Sequence, residues 1–335
     1  MLSTKSRIRF KSDKPIFNND ISIIEDTIEY NLKNVFTVFK SILNELIIVY
    51  VNDYNKLIFY DFQNFQTLCK SDSSHKEFVT FLKHFPDKNK KRDIIASISN
   101  IDCVVKLWEF KNSKLFCILD LDNVYNKGYV KGGCFISYNS KLYFSVINYE
   151  NPNNGDNIKL IDIESNEKVI LENTAQSTNQ IETFNNKQNI FIIVCTTNSI
   201  KSYYFNPTSL SLYKEYIDKE ESEHMCFEMF TNDGFKTKII DSDNRGIIRI
   251  WEFDSCDLLH IIKMNNNKCN DICLYNNYLL IYLPDELKVF DFKSLRIVTF
   301  FKFNNLANII STEHCEYGKC ILYKEKNIIG CRFFK

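Results

Sequence analysis

Val104-Val105-Lys106-Leu107-Trp108-Glu109-Phe110 and Ile247-Ile248-Arg249-Ile250-Trp251-Glu252-Phe253 are two copies of one pattern: two apolar residues, a base, an apolar residue, Trp, an acid and Phe. Both tryptophans of the 335-residue chain occupy its fifth position. Weaker copies are Lys56-Leu57-Ile58-Phe59-Tyr60-Asp61-Phe62, Asn157-Ile158-Lys159-Leu160-Ile161-Asp162-Ile163, Ser199-Ile200-Lys201-Ser202-Tyr203-Tyr204-Phe205, Glu286-Leu287-Lys288-Val289-Phe290-Asp291-Phe292 and a degraded Ile328-Ile329-Gly330-Cys331-Arg332-Phe333-Phe334. The fifth positions fall at 60, 108, 161, 203, 251, 290 and 332, so the gaps are 48, 53, 42, 48, 39 and 42 residues. Each copy alternates apolar and polar residues, the period of a strand.

A period of about 45 residues is the length of a four-stranded propeller blade. Companion segments appear around each copy. In the second, apolar runs at 78–82, 94–99, 103–110 and 115–121 read as strands a to d; in the fifth, 225–230, 237–241, 246–253 and 257–262 repeat the order. The inner strands are near-continuously apolar, as expected where both faces pack on neighbours. The expected fold is all-β: a seven-bladed β-propeller of four-stranded antiparallel blades.

Ser74-His75, Pro86-Asp87, Asp102 and Trp108-Glu109 stand where the WD40 family carries its Gly-His pair, its a–b turn, its b–c turn aspartate and its Trp-Asp pair. The chain therefore resembles the WD40 family of seven-bladed propellers. The resemblance implies a buried Asp–His–Ser/Thr–Trp tetrad formed by Asp102, His75 and Trp108, with Asn100 or Ser99 in the place of the hydroxyl; such a network locks a turn to a strand. The fifth copy keeps His224 and Trp251 but has Arg245 where the turn aspartate is expected. The resemblance also implies closure by an N-terminal strand, best placed at 21–30, because an unpaired last blade would expose a sheet edge. Residues 1–20 then read as a tail or arm and 21–335 as one propeller domain.

Composition narrows the function classes. With 42 basic and 42 acidic residues the chain has no net charge, which gives no nucleic-acid footprint. Its apolar runs are far shorter than the ~20 residues of a membrane-spanning helix. Twelve cysteines without paired spacing read as reduced thiols of an intracellular, cytoplasmic protein. Lys5, Arg7, Arg9, Lys11 and Lys14 make mitochondrial import the alternative.

Catalytic signatures are not legible. Eight scattered glycines form neither GxGxxG nor a Walker loop, and Cys269, Cys273, His314, Cys315 and Cys320 lack the paired CxxC spacing of a zinc site. Asp61, Glu109, Asp162, Glu252 and Asp291 recur at one repeat position, so they read as blade punctuation and not as an acid–base set. No Phe-Arg-Arg-Gly segment supports phosphoinositide binding. No cofactor, metal or small-molecule substrate is expected.

A propeller without a grafted site is expected to act through its loops. The reading is a non-enzymatic scaffold, a subunit of a larger intracellular assembly, binding proteins or peptides through the rim formed by the b–c and d–a loops. Tyr54, Tyr149 and Arg245 are the expected anchors, since large or forked side chains give contact at small entropic cost. The alternative is a substrate receptor or adaptor of a ubiquitin-ligase-type complex.

Overall fold

A computed structural model describes residues 17–25 and 35–334, apart from positions 53, 65, 73–74, 100–102, 122–128, 152–154, 174–175, 187, 219–221, 232–235, 265–267, 276, 303–305, 315–317 and 326–327. The described secondary structure is all strand. No helix among the described residues is long and apolar enough to cross a membrane.

The chain forms two compact units. The first holds the sheet of β2 (Phe36–Lys40), β3 (Leu46–Val51), β4 (Leu57–Asp61) and β5 (Gln66–Lys70), and that of β6 (Val79–Asp87), β7 (Arg92–Ser99), β8 (Val104–Lys111) and β9 (Lys114–Leu121). The second holds β10 (Tyr129–Tyr138), β11 (Lys141–Asn151), β12 (Gly155–Asp162) and β13 (Lys168–Asn173); β14 (Thr178–Asn185), β15 (Ile190–Thr196), β16 (Ile200–Asn206) and β17 (Ser209–Tyr216); β18 (His224–Phe230), β19 (Lys238–Asp243), β20 (Ile247–Glu252) and β21 (Leu258–Lys263); and most of β22 (Asp271–Tyr275), β23 (Tyr278–Leu283), β24 (Glu286–Asp291) and β25 (Arg296–Lys302). These six blades are each a run of four consecutive strands, a to d, with antiparallel pairing wherever the register is defined.

The expectation was seven such blades. The remaining four-stranded sheet, in the first unit, is instead composite: β1 (Phe17–Glu25) pairs antiparallel with β28 (Ile328–Phe334), which continues to β27 (Gly318–Glu325) and β26 (Leu306–His314). Its ladder matches Phe17 with Phe334, Ile21 with Cys331 and Glu25 with Ile328, so the N-terminal strand starts before the expected 21–30, inside the stretch read as a tail. Residues 26–30 lie outside the described ones.

Burial explains the strand order. The b strands are largely apolar and buried, as in Ile190–Thr196 and Tyr278–Leu283, whereas the d strands Gln66–Lys70 and Arg296–Lys302 are largely exposed. In four blades the fifth motif position faces the preceding blade. Trp108 packs with Phe59 and Val49, Tyr203 with Ile147 and Ile158, Trp251 with Phe191 and Ile193, and Phe290 with Ile240 and Ile250. Full burial of one such ring stabilises by ~1.5–3 kcal/mol before entropy is counted. Side-chain hydrogen bonds add to this between inner strands: Gln180 accepts from Phe227 N at 2.8 Å and donates to its carbonyl at 3.1 Å.

Turn chemistry sets the blade lengths. Asn112-Ser113 and Asn139-Ser140, all at φ between 49° and 63°, close the hairpins β8–β9 and β10–β11, the geometry of a two-residue type I′ turn. Three of the recurring carboxylates cap their c–d turns. Asp61 Oδ1 accepts from Gln63 N and Asn64 N (2.8 and 3.1 Å), Asp162 Oδ1 from Glu164 N and Ser165 N (2.9 and 3.2 Å), and Asp291 Oδ1 from Lys293 N at 3.0 Å. Pro86 and Asp87, expected at the a–b turn, instead end β6, opposite Asp93 and Arg92, and the turn follows at 88–91. Proline is tolerated there because β6 is the terminal strand of its sheet and has one side without a ladder.

Candidate interaction surface

The b–c turns and d–a connections share one end of the sheets, and hydrogen bonds join them. His75 N donates to Asn55 O (3.3 Å) in the first unit; in the second, His224 N donates to Thr197 O (3.0 Å), Thr197 N to Ser177 O (2.9 Å) and Asn244 N to Glu223 O (2.9 Å). The d–a connections ending at His75, Ser177 and His224 thus strap b–c turns. Exposed backbone groups that would otherwise be solvated are held in fixed positions.

His75, Ser97 and Trp108 form a buried chain beneath this end. His75 Nε2 lies 2.7 Å from Ser97 Oγ, which accepts from Trp108 Nε1 at 2.8 Å, and Ser97 is fully buried. The hydroxyl is therefore Ser97 and not residue 99 or 100. Trp108 lies opposite Ile95 in the ladder, so the serine two positions on is its diagonal neighbour and within reach, whereas Ser99 is one step too far. Asp102 and Asn100 lie outside the described residues.

The same place in the fifth blade is charged. Asp241 stands where Ser97 does, with Ile239 opposite Trp251 and Asp241 opposite Arg249. Asp241 Oδ1 accepts from Trp251 Nε1 at 2.5 Å, and Oδ2 lies 2.6 Å from His224 Nδ1. Arg249, fully buried, donates through Nε to Asp218 Oδ2 (2.5 Å), through Nη2 to Asp243 Oδ2 (2.8 Å) and Ser222 Oγ (2.9 Å), and more distantly through Nη1 to Asp241 Oδ2 (3.4 Å). Burial disfavours the guanidinium charge, but Asp241, Asp243 and Asp218 outweigh it and hold the Arg249 pKa above its ordinary value. Asp243 is held below the usual carboxylate range: burial opposes ionisation, and the Ile247 N–H, Ser222 and Arg249 overcome it. One cation thus fastens the d–a connection, through Asp218 and Ser222, to strands b and c.

Asp243, not a residue at 245, is the turn carboxylate of this blade. Its Oδ1 accepts from Arg245 N and Ile247 N at 2.9 and 2.8 Å, leaving the Arg245 side chain exposed. Tyr54 lies in the β3–β4 turn, 73% exposed, with its N–H and that of Lys56 bound to Asn52 Oδ1 at 3.1 and 2.9 Å. Tyr149, expected in a turn, is part of β11 and pairs in register with Tyr129 and Asp156. The structure thus brings His75 to Trp108 and His224 to Trp251, while Tyr54, Tyr149 and Arg245 sit on three different blades. Sequence reasoning missed Ser97, Asp241, Arg249, Asp218 and Asp243. The available signal was a polar residue in an otherwise apolar b strand, opposite the basic third position of the motif.

None of the nine cysteines whose side chains are described forms a disulfide, and no cluster of His, Cys, Asp and Glu able to hold a metal occurs among the described residues.

No protein-family model matches the chain, and no curated protein matches it in sequence. Solved structures do match in fold. The chain superposes on Raptor of Chaetomium thermophilum with a TM-score of 0.70 and 11% identity, covering 96% of this chain and 29% of that one. The computationally designed Ika8 protein gives a TM-score of 0.53 at 12% identity, over 86% of this chain and 93% of the design. This chain therefore spans under a third of the Raptor chain. At such identities the likeness assigns no family; what it shows, with the blade pattern above, is that the chain is an all-β propeller of four-stranded antiparallel blades.

Proposed function

We propose that this protein is a non-enzymatic interaction scaffold, a subunit of a larger intracellular assembly, which holds protein or peptide partners at the end formed by its b–c and d–a loops. In this reading the composite sheet of β1 and β26–β28 serves as the seventh blade. The observation that carries the reading is the strapped loop end itself. Buried networks around Ser97 and Arg249 and the loop-to-loop backbone bonds hold these turns rigid, and Tyr54 and Arg245 project from them into solvent. A rigid surface loses little entropy on binding, and exposed Tyr and Arg are the usual anchors of such contacts.

The test is affinity purification of the intact protein from its own cells, quantified by mass spectrometry, beside a Tyr54→Ala/Arg245→Glu variant of unchanged melting temperature. Loss of defined partners from the variant is the expected result. An identical partner set, or a monomeric wild-type protein without partners, overturns the reading.

A further inference from the structure

At the opposite end, where the a–b and c–d turns lie, the first unit has a pocket of about 230 Å³ lined by Ile42, Leu43, Phe110, Lys91, Arg92 and Lys111 among others. Its frame is built. Asp93, 3% exposed, accepts from Ile42 N of the β2–β3 turn at 3.0 Å through Oδ2 and meets His84 Nε2 at 2.8 Å through Oδ1, while the His84 ring stacks on Phe39 at 3.7 Å. Arg92 is clamped between Asp87 (2.9 Å) and Glu109 (2.8 Å), so its charge is spent internally. Leu43, held in a turn by Ser41 Oγ at 3.2 Å, stands 61% exposed at the lip.

Lysines predominate among the exposed charges around this pocket in a protein of zero net charge. Lys88, Lys90, Lys91, Lys111 and Lys114 are all exposed on the two hairpins that border it. Lys91 and Lys111, which line the pocket, form no ion pair with any described residue. Of the nearby acids, Asp87, Glu109 and Asp93 are engaged inward by Arg92 and by His84 and Ile42, while Glu45, which lines the pocket, accepts from Ser41 Oγ at 3.5 Å.

We infer that this pocket and its lysine border bind an acidic, extended protein segment that sets one bulky apolar side chain against Leu43. The pocket is below the ~300–1,000 Å³ of small-molecule sites, which suits a single side chain. Charge complementarity supplies the flanking Asp and Glu residues of the partner. A nucleic acid fits less well, because the pocket's aromatic ring, Phe110, is 3% exposed and offers no stacking face. A membrane surface fits less well, because Leu43 is the one strongly exposed apolar residue among those lining the pocket.

The probe is a labelled peptide with one leucine flanked by glutamates and aspartates, titrated into the full-length protein by fluorescence anisotropy. Saturable binding is expected, weakened about tenfold when the peptide's leucine becomes serine, and likewise by Lys91→Glu/Lys111→Glu or by Leu43→Ser in the protein. The peptide substitution leaves the protein untouched, so a variant that fails to fold does not blunt the test. Absence of binding, or equal binding of the leucine and serine peptides, overturns the inference. So does lysine-dependent binding of phosphatidylserine vesicles or single-stranded RNA by a protein that ignores the leucine peptide.

Discussion

Arg249→Met is the substitution that most directly probes what holds the loop end together. Methionine retains much of the stem's volume, so the change removes a charge and its donors and opens little cavity. Asp218, Asp241 and Asp243 then face one another without the guanidinium that now lies 2.5, 3.4 and 2.8 Å from them. Removing one partner of a buried ion pair costs ~3–5 kcal/mol, a large part of the ~5–15 kcal/mol that holds a domain folded. The loss carries a pH signature. Asp243 has a depressed pKa in the native protein, so its contribution is present above the ordinary carboxylate value and disappears as pH falls through the depressed one. Without Arg249 much of that depression goes, and the deficit of the variant is therefore greatest near neutrality and shrinks toward pH ~4. Urea unfolding of both proteins in a Trp108→Phe background reads this cleanly, because the remaining Trp251 is bonded to Asp241 at 2.5 Å. A loss below ~1 kcal/mol at pH 7, or a deficit that does not change with pH, would refute the electrostatic account. Adding Asp218→Asn and Asp243→Asn to Arg249→Met is expected to restore part of the stability.

Three further outcomes follow from the same structure. Ser97→Ala leaves His75 Nε2 and Trp108 Nε1 without their shared oxygen; a loss of ~1–3 kcal/mol in chemical denaturation is expected, and a neutral effect would show the chain of bonds to be dispensable. Burial pushes Asp271 up to about 6 against the opposing Ile272 N–H and Cys226, so its favourable protonated state is lost as pH rises from about 4 through 6; Asp271→Asn is expected to flatten stability over that range and add at most ~3 kcal/mol at pH 7, and an unchanged pH profile would count against the buried carboxyl. Deleting the chain through Glu25 removes the β1 ladder to β28 and bares that strand's edge; a lower melting temperature and aggregation by light scattering are expected, and an undiminished melting temperature would sink the closure role of β1.

The blade order was legible because it rests on periodicity. Alternation in 103–110 and 246–253 placed β8 and β20 within a residue or so of their observed ends, and the two tryptophans set the repeat. Turn positions were less legible where a local signal competed with strand pairing. Pro86-Asp87 reads as a turn, yet the ladder to Arg92 and Asp93 extends through it; Tyr149 stands before a turn-rich stretch, yet the β11–β12 ladder continues to Asn151 and Gly155. In both cases the hydrogen bonds of an added strand residue outweigh turn propensity.

From residues alone came the all-β class, the period of about 45 and the apolar inner strands, because these depend on short-range alternation and repeat length. Tertiary structure alone decided which polar groups meet. Ser97 joins His75 to Trp108 across 22 and 11 positions of sequence, and Arg249 reaches back 31 to Asp218. The lysine-bordered pocket likewise exists only because the β2–β3 turn docks on Asp93, 51 residues from Ile42. A buried charge is tolerable only where several partners converge on it in three dimensions, and that convergence is set by blade packing and not by spacing along the chain.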